Sequence, residues 1–155
     1  MAQDIVETQW LFGNSSQHIT FDKNGRDPEL FNSQITPFGI GGSGVVSDQF
    51  NGNLLFYSDG QNIYDASHSL LPAIGGNTLN GDPTINQPVV TCPIPDNSDR
   101  YYFFTNPGTS GPNEIQYSIV DASILGNSTV AQYPLGDVTS FNQATGLNDP
   151  SEAMT

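Results

Sequence analysis

Apolar residues in this chain fall in short runs separated by polar turn dipeptides, and the densest set lies at Val45 to Pro72 (VVSDQFNGNLLFYSDGQNIYDASHSLLP). Asn51-Gly52 and Asp59-Gly60 divide that stretch into three segments. Runs rich in β-branched and aromatic residues, broken by these dipeptides, predict an antiparallel meander. The predicted strands are Val45 to Ser47, Leu54 to Ser58 and Asn62 to Asp65, with a turn at Phe50 to Asn53. Simple alternation puts Leu54, Phe56 and Ser58 on one face of the middle strand and Leu55 and Tyr57 on the other. Both faces are largely apolar, which suits a strand covered on both sides, as in stacked sheets or propeller blades.

The same reading extends outward. Thr8 to Phe12 and His18 to Phe21 read as strands, Asp22 to Asp27 as a hairpin turn around Asn24-Gly25, and Glu29 to Ser33 as a strand pairing back. Thr36 to Gly44 is a glycine-rich connection, either flexible or a passage where backbone lies on backbone. Farther on, Pro88 to Pro93 resembles Gly44 to Ser47, Arg100 to Thr105 (RYYFFT) resembles Asn53 to Ser58 (NLLFYS), and Glu114 to Ser123 resembles Gln61 to Ser67. Asp-Ala-Ser recurs at 65–67 and 121–123. The offset grows from roughly 44 to roughly 56 residues, and a repeat of this size built from short strands is the signature of propeller blades. Thr129 to Tyr133 is the predicted outer strand of the second unit. Asp137 to Pro150 reads as loop, and Ser151 to Thr155 as the start of a third unit.

The predicted fold is therefore all-β. Residues 1–155 form a single β domain, with leading strands at 8–44, one blade-like unit at 45–87, a second at 88–136, and a loop and the start of a third unit at 137–155. The expected architecture is an incomplete, N-terminal portion of a β-propeller, with a small β-sandwich as the alternative. Two units and a beginning do not close a ring, so a longer chain is expected. No helix of ordinary length is predicted. At 155 residues a compact chain buries about two-thirds of its unfolded surface.

Charge narrows the function classes. Lys23, Arg26 and Arg100 stand against 16 acidic residues, for a formal net charge of -13. Nucleic acid is not an expected partner, because its affinity comes from neutralised phosphates. Charged residues are only 12% of the chain, so polarity comes from Asn, Gln, Ser, Thr and Gly, a mix common in β-rich extracellular or virion proteins. Cys92 is the only cysteine, which excludes an internal disulfide. No apolar run approaches the ~18 residues of a membrane span. The start, MAQDIVETQWLFGN, has neither the basic nor the apolar region of a signal peptide, although Ala2-Gln3 also suits a mature chain begun after an added Met.

The blocks WLFGNSSQHITF, NGNLLFYSDGQNIYDASHSLLP, RYYFFT and IQYSIVDAS resemble the N-terminal half of a β-propeller family, over roughly residues 8–155. That family occurs in virion structural proteins of marine tailed phages, cyanophages among them, and in surface proteins of gliding Bacteroidetes. LLFYSDG is the most specific of the blocks. The resemblance implies several further blades and carries no active-site motif. The low Lys/Arg count departs from a typical Bacteroidetes surface protein and suits a phage or marine one.

Candidate chemistry is sparse. His68, Asp65 and a serine supply the residue types of a hydrolytic triad, but no nucleophile elbow accompanies them. The expected role of His68 is a blade corner whose turn Asp65 and Ser67 cap. His18 lies on a predicted strand. Asp22, Asn24 and Asp27, with Glu29, group oxygen ligands around Gly25 and are the weak calcium candidates, lacking the full loop pattern with a terminal bidentate Glu. GIGGSG at 39–44 lacks a phosphate-binding lysine. Cys92 reads as a buried small hydrophobe. Tyr57, Tyr64, Tyr101, Tyr102 and Tyr117 read as core, and Trp10 as packed between first and last blades.

The expectation is thus a protein without catalytic residues or cofactor. It would be a structural or adhesive module of an extracellular assembly, foremost a phage virion (tail, baseplate or fibre). Its partners would be other structural proteins of that assembly and a host receptor or glycan, reached by loops such as Gly75 to Asn86 and Pro107 to Asn113, in a chain open to oligomerisation. A secreted bacterial surface protein acting in adhesion or gliding is the alternative, and a glycan-active propeller enzyme a distant one, needing paired carboxylates.

Overall fold

Every regular element in the computed structural model is an antiparallel strand. The structure describes residues 9–12, 15–21, 27–32, 40–72, 76–109 and 113–150. Sheet one contains β1 (Gln9–Leu11), β2 (Gln17–Thr20) and β3 (Glu29–Asn32). Sheet two contains β4 (Gly44–Ser47), β5 (Leu54–Ser58), β6 (Ile63–Asp65) and β7 (Leu70–Leu71). Sheet three contains β8 (Val89–Ile94), β9 (Asn97–Thr105), β10 (Glu114–Asp121) and β11 (Asp137–Asn148). Strands follow one another in chain order within each sheet, so each is a meander. The fold is all-β, as the hydrophobic pattern predicts, with no helix among the described residues and no closed barrel. The first strands meet, β1 beside β4 and β4 beside β8, as the inner strands of successive propeller blades do.

Sheet two is covered on both sides. Tyr57 and Leu11, with Val45, Leu54 and Tyr64 around them, form the core between sheets one and two. Val46, Phe56, Ile63 and Leu71 meet Val89, Tyr101, Phe103 and Val120 in the core between sheets two and three. Phe56 is 1% exposed and Tyr57 0%. Adjacent residues of one strand thus enter two different cores, each contributing about 1.5–3 kcal/mol of burial. The ring of Phe56 stands edge-on to Tyr101 and Phe103 at 6.2 and 6.5 Å. Tyr57 stacks on its cross-strand neighbour Tyr64 at 5.0 Å.

Strict alternation fails at the start of β5. Leu54 joins the Tyr57 core and Leu55 the Phe56 core, the reverse of the expected faces. The pairing of Val46 with Phe56 and of Ser47 with Leu54 leaves one extra residue on β5. Such a bulge resets the side-chain phase.

The repeat is real but its register differs from the sequence match by one residue. Val45 pairs Tyr57 and Val46 pairs Phe56, while Val89 pairs Thr105 and Val90 pairs Phe104. Phe104 therefore holds the place of Phe56, and Phe103 points back toward sheet two. The turns agree: Ser58 Oγ accepts from Gly60 N at 3.0 Å, as Asn106 Oδ1 accepts from Gly108 N at 3.0 Å. Similar composition does not fix register, and one residue of slip exchanges the faces.

The fourth strand of sheet three is β11, not Thr129 to Tyr133, which lie in a turn before it. Asp137 to Pro150, expected as loop, is mostly strand. Its sequence is polar and pairs β10 with three register irregularities. The open edge of β10, rather than β11's own propensity, sets this pairing. The short strand β7 also carries too little sequence signal to be predicted.

Gly75 to Asn86 is not a freely presented loop. Within its described part, Leu79 N donates to Gln61 O, Gly81 N to Gly60 O and Asp82 N to Asn106 O, all at 2.9 Å. The stretch also receives bonds from Gly41 N at Pro83 O and Gly42 N at Ile85 O. It is a strap joining sheets two and three. A Cβ on Gly41 or Gly42 would lie 2.1 or 2.3 Å from a carbonyl oxygen of that strap, so this part of the glycine-rich connection is a close backbone passage.

Candidate functional site

The strand order brings β1, β4 and β8 to one cleft of about 290 Å³. Gln9, Trp10, Leu11 and Phe12 line it from sheet one, Ser43, Gly44, Val45 and Ser47 from sheet two, and Gln87, Val89, Val90 and Thr91 from sheet three. No lining residue carries a formal charge. Ser43 Oγ donates to Leu11 O at 2.9 Å and Thr91 Oγ1 to Val45 O at 2.9 Å, so these hydroxyls tie neighbouring sheets together. Ser47 Oγ is buried without a hydrogen-bond partner among the described residues. Trp10 and Phe12 are 48% and 47% exposed. Amides, a hydroxyl and two accessible aromatic faces suit recognition of a neutral, polar-and-apolar surface. The sequence flagged none of the five neutral polar liners. Their signal was positional, since each lies in or beside the first strand of its unit.

Asp48, Asp59, Asp65 and Asp121 are committed to turns. Asp65 is fully buried. Its Oδ1 accepts from Ser67 N (2.8 Å), Ser67 Oγ (2.6 Å) and Ser69 N (3.0 Å), and its Oδ2 from Asn127 Nδ2 (2.8 Å). Asp121 repeats the motif with Ser123 N and Oγ at 3.0 and 2.6 Å, and adds Arg100 at 3.7 Å. The repeated Asp-Ala-Ser is thus one turn used twice. Asp59 accepts from Gln61 N and Asn62 N, and Asp48 from Phe50 N and Asn51 N. Asp82 is held below the usual carboxylate range by hydrogen bonds from Thr84. Asp22 and Asn24 lie outside the described residues, and Asp27 is exposed. No cluster of three or more metal-ligating side chains occurs among the described residues.

Two histidines distant in sequence come together between sheets one and two. His68 takes a left-handed conformation in the β6–β7 turn, with φ of 65°. Its Nδ1 lies 3.3 Å from Tyr57 Oη, and its N donates to Asp65 O. His18 stacks on Phe31 at 5.6 Å, and its buried Nδ1 finds no partner among the described residues. Burial first, and the positive charge of His68 second, hold His18 below the ordinary value of 6.5. Burial raises the Cys92 thiol, so it stays protonated, as a small half-buried hydrophobe does. Tyr57 and Tyr101 are core, while Tyr64, Tyr102 and Tyr117 are half-buried. Trp10 packs against Phe21 at 5.0 Å and stays half-exposed rather than enclosed between blades.

The chain matches no protein-family model, no curated protein and no solved structure.

Two predictions follow from these side chains. Asp65→Ala removes a fully buried acceptor of four hydrogen bonds and is expected to cost about 2 kcal/mol, while Asp121→Ala, at a partly exposed turn with two such bonds, costs within about 1 kcal/mol. Urea unfolding of both variants compares them directly. A depressed His18 pKa means that the unfolded chain binds the proton more readily. Stability is then full above the ordinary histidine value and falls as pH drops from there through the lowered folded value. Unfolding free energy measured across that window should decline in the wild type, and His18→Gln should flatten the decline.

Proposed function

We propose that this chain is a non-enzymatic structural and adhesive module of an extracellular assembly, foremost a tailed-phage virion. The observation that carries the reading is the division of labour among its polar groups. Asp59, Asp65 and Asp121 serve turns, and the cleft at β1, β4 and β8 is lined by neutral amides, hydroxyls and aromatic rings. General acid–base work needs titratable groups within reach of a bound substrate, and the cleft lining supplies none. Rigid meanders tied by a strap of backbone hydrogen bonds suit the presentation of an unchanging surface to neighbouring subunits, or to a glycan or receptor at Trp10 and Phe12. The resemblance of LLFYSDG and its flanking blocks to phage virion proteins gives the assembly its identity. The acidic, uncharged-polar composition agrees with it.

The same blocks support a second reading, a bacterial surface protein acting in adhesion or gliding. Mass spectrometry of purified particles separates the two. Peptides of this chain are expected among the virion proteins. Their absence from particles and recovery from a bacterial surface fraction would replace the first reading by the second. Glycan hydrolysis lost on changing one carboxylate would overturn both.

A further inference from the structure

The two described cores that flank sheet two differ in size and in chemistry. Nine buried residues make up the core between sheets two and three, and the strap from Leu79 to Ile85 ties the turns of those sheets by backbone bonds. The core between sheets one and two has two buried residues, Leu11 and Tyr57, with Val45, Leu54 and Tyr64 packed around them. Stabilisation by burial scales with the apolar area removed from water. Among the described elements, sheet one is therefore the more weakly joined.

Both histidines of the chain stand at this smaller core. Cross-strand partners share a face, and His18 pairs Leu11 on one side and Phe31 on the other. His18 thus faces sheet two, as Leu11 does. On the facing side of sheet two, Tyr57 stacks on Tyr64, and His68 Nδ1 lies 3.3 Å from the Tyr57 hydroxyl. The His18 ring lies on Phe31, and its buried Nδ1 has no hydrogen-bond partner among the described residues. A neutral imidazole with its proton on Nε2 places only a lone pair there. A protonated one places an N–H and a positive charge where no acceptor receives them, and an unmade bond costs more for a charged group than for a neutral one.

The neighbouring charged groups do not offset that cost. His68, when protonated, has the same sign. Glu29 lies two positions along the His18 face and is exposed. Asp59, near Tyr64, accepts from Gln61 N and Asn62 N. Asp65 pairs Phe56 and so lies on the opposite face of β6.

We propose that sheet one is an acid-released cover on sheet two, because a proton on His18 favours the state in which sheet one has lifted and the imidazole is in water. Lifting bares Val45, Leu54, Tyr57 and Tyr64, an apolar and aromatic face, while sheets two and three stay joined. The sign agrees with the depression of His18 by burial and by His68. The closed state is fully favoured above the ordinary histidine value and loses that advantage as pH falls through the lowered one. Histidine is the side chain that titrates in this range.

Native-state hydrogen exchange on the full chain in low urea tests it, with opening constants compared at about pH 7.5 and about pH 5, above the usual carboxylate values. Amides of β1 to β3 should open with a weaker urea dependence than those of β5, because a partial opening exposes less surface. Their opening constant should rise several-fold between the two pH values, by at most about tenfold per pH unit for one proton. His18→Gln should remove the rise. The change with pH is the readout, so a variant whose sheet one opens more readily at both pH values still decides the question. Three results would each overturn the proposal. The amides of β1 to β3 could open with the free energy and urea dependence of β5. Their opening constant could be the same at both pH values. Or the rise could survive in His18→Gln.

Discussion

The structure depends on one strand being buried from both sides. β5 sends Phe56 into one core and Tyr57 into another, with 1% and 0% of their surfaces exposed. Sheets one and three do not need to recognise each other. Each packs on sheet two, and their first strands converge because β4 lies between them. The cleft at β1, β4 and β8 is a by-product of that convergence, and its neutral lining follows from the apolar, hydroxyl and amide residues that first strands use to approach one another. The strap from Leu79 to Ile85 then ties the turns of sheets two and three by backbone bonds, which fixes their mutual orientation without a further core.

Strands with strong apolar patterns were legible, and those formed by pairing alone were not. Leu54 to Ser58 is β5 with the predicted bounds, because its aromatic content and flanking Asn-Gly and Asp-Gly leave few alternatives. β11 was invisible, since Gln, Asn and Thr residues pair only where β10 presents an edge. The sequence repeat was seen but slipped by one residue, because Leu-Leu-Phe-Tyr and Tyr-Tyr-Phe-Phe match equally well in either register. The strand pairings and the hydrogen bonds of the following turns, Gly60 N to Ser58 Oγ and Gly108 N to Asn106 Oδ1, distinguish them. Asp59 before Gly60 and Asp65 read as turn residues in the sequence and serve turns, and Asp121 does the same. The influence of His68 on His18 depends on two sheets meeting and leaves no trace in the spacing.

The proposed scaffold reading rests on how the polar groups are used. Asp48, Asp59, Asp65 and Asp121 are spent on turn geometry, the accessible aromatics lie in turns, on outer faces or at the cleft rim, and the described carboxylates form no cluster that could hold a metal ion.

Native-state hydrogen exchange tests the central role of β5 most directly. If sheet two is the element on which the others depend, the amides of Phe56, Tyr57 and Ser58 will exchange only through global unfolding. Their opening free energy will then equal that from urea denaturation and will exceed that of amides in sheets one and three. Exchange of these β5 amides through a local opening while sheet three stays protected would contradict it.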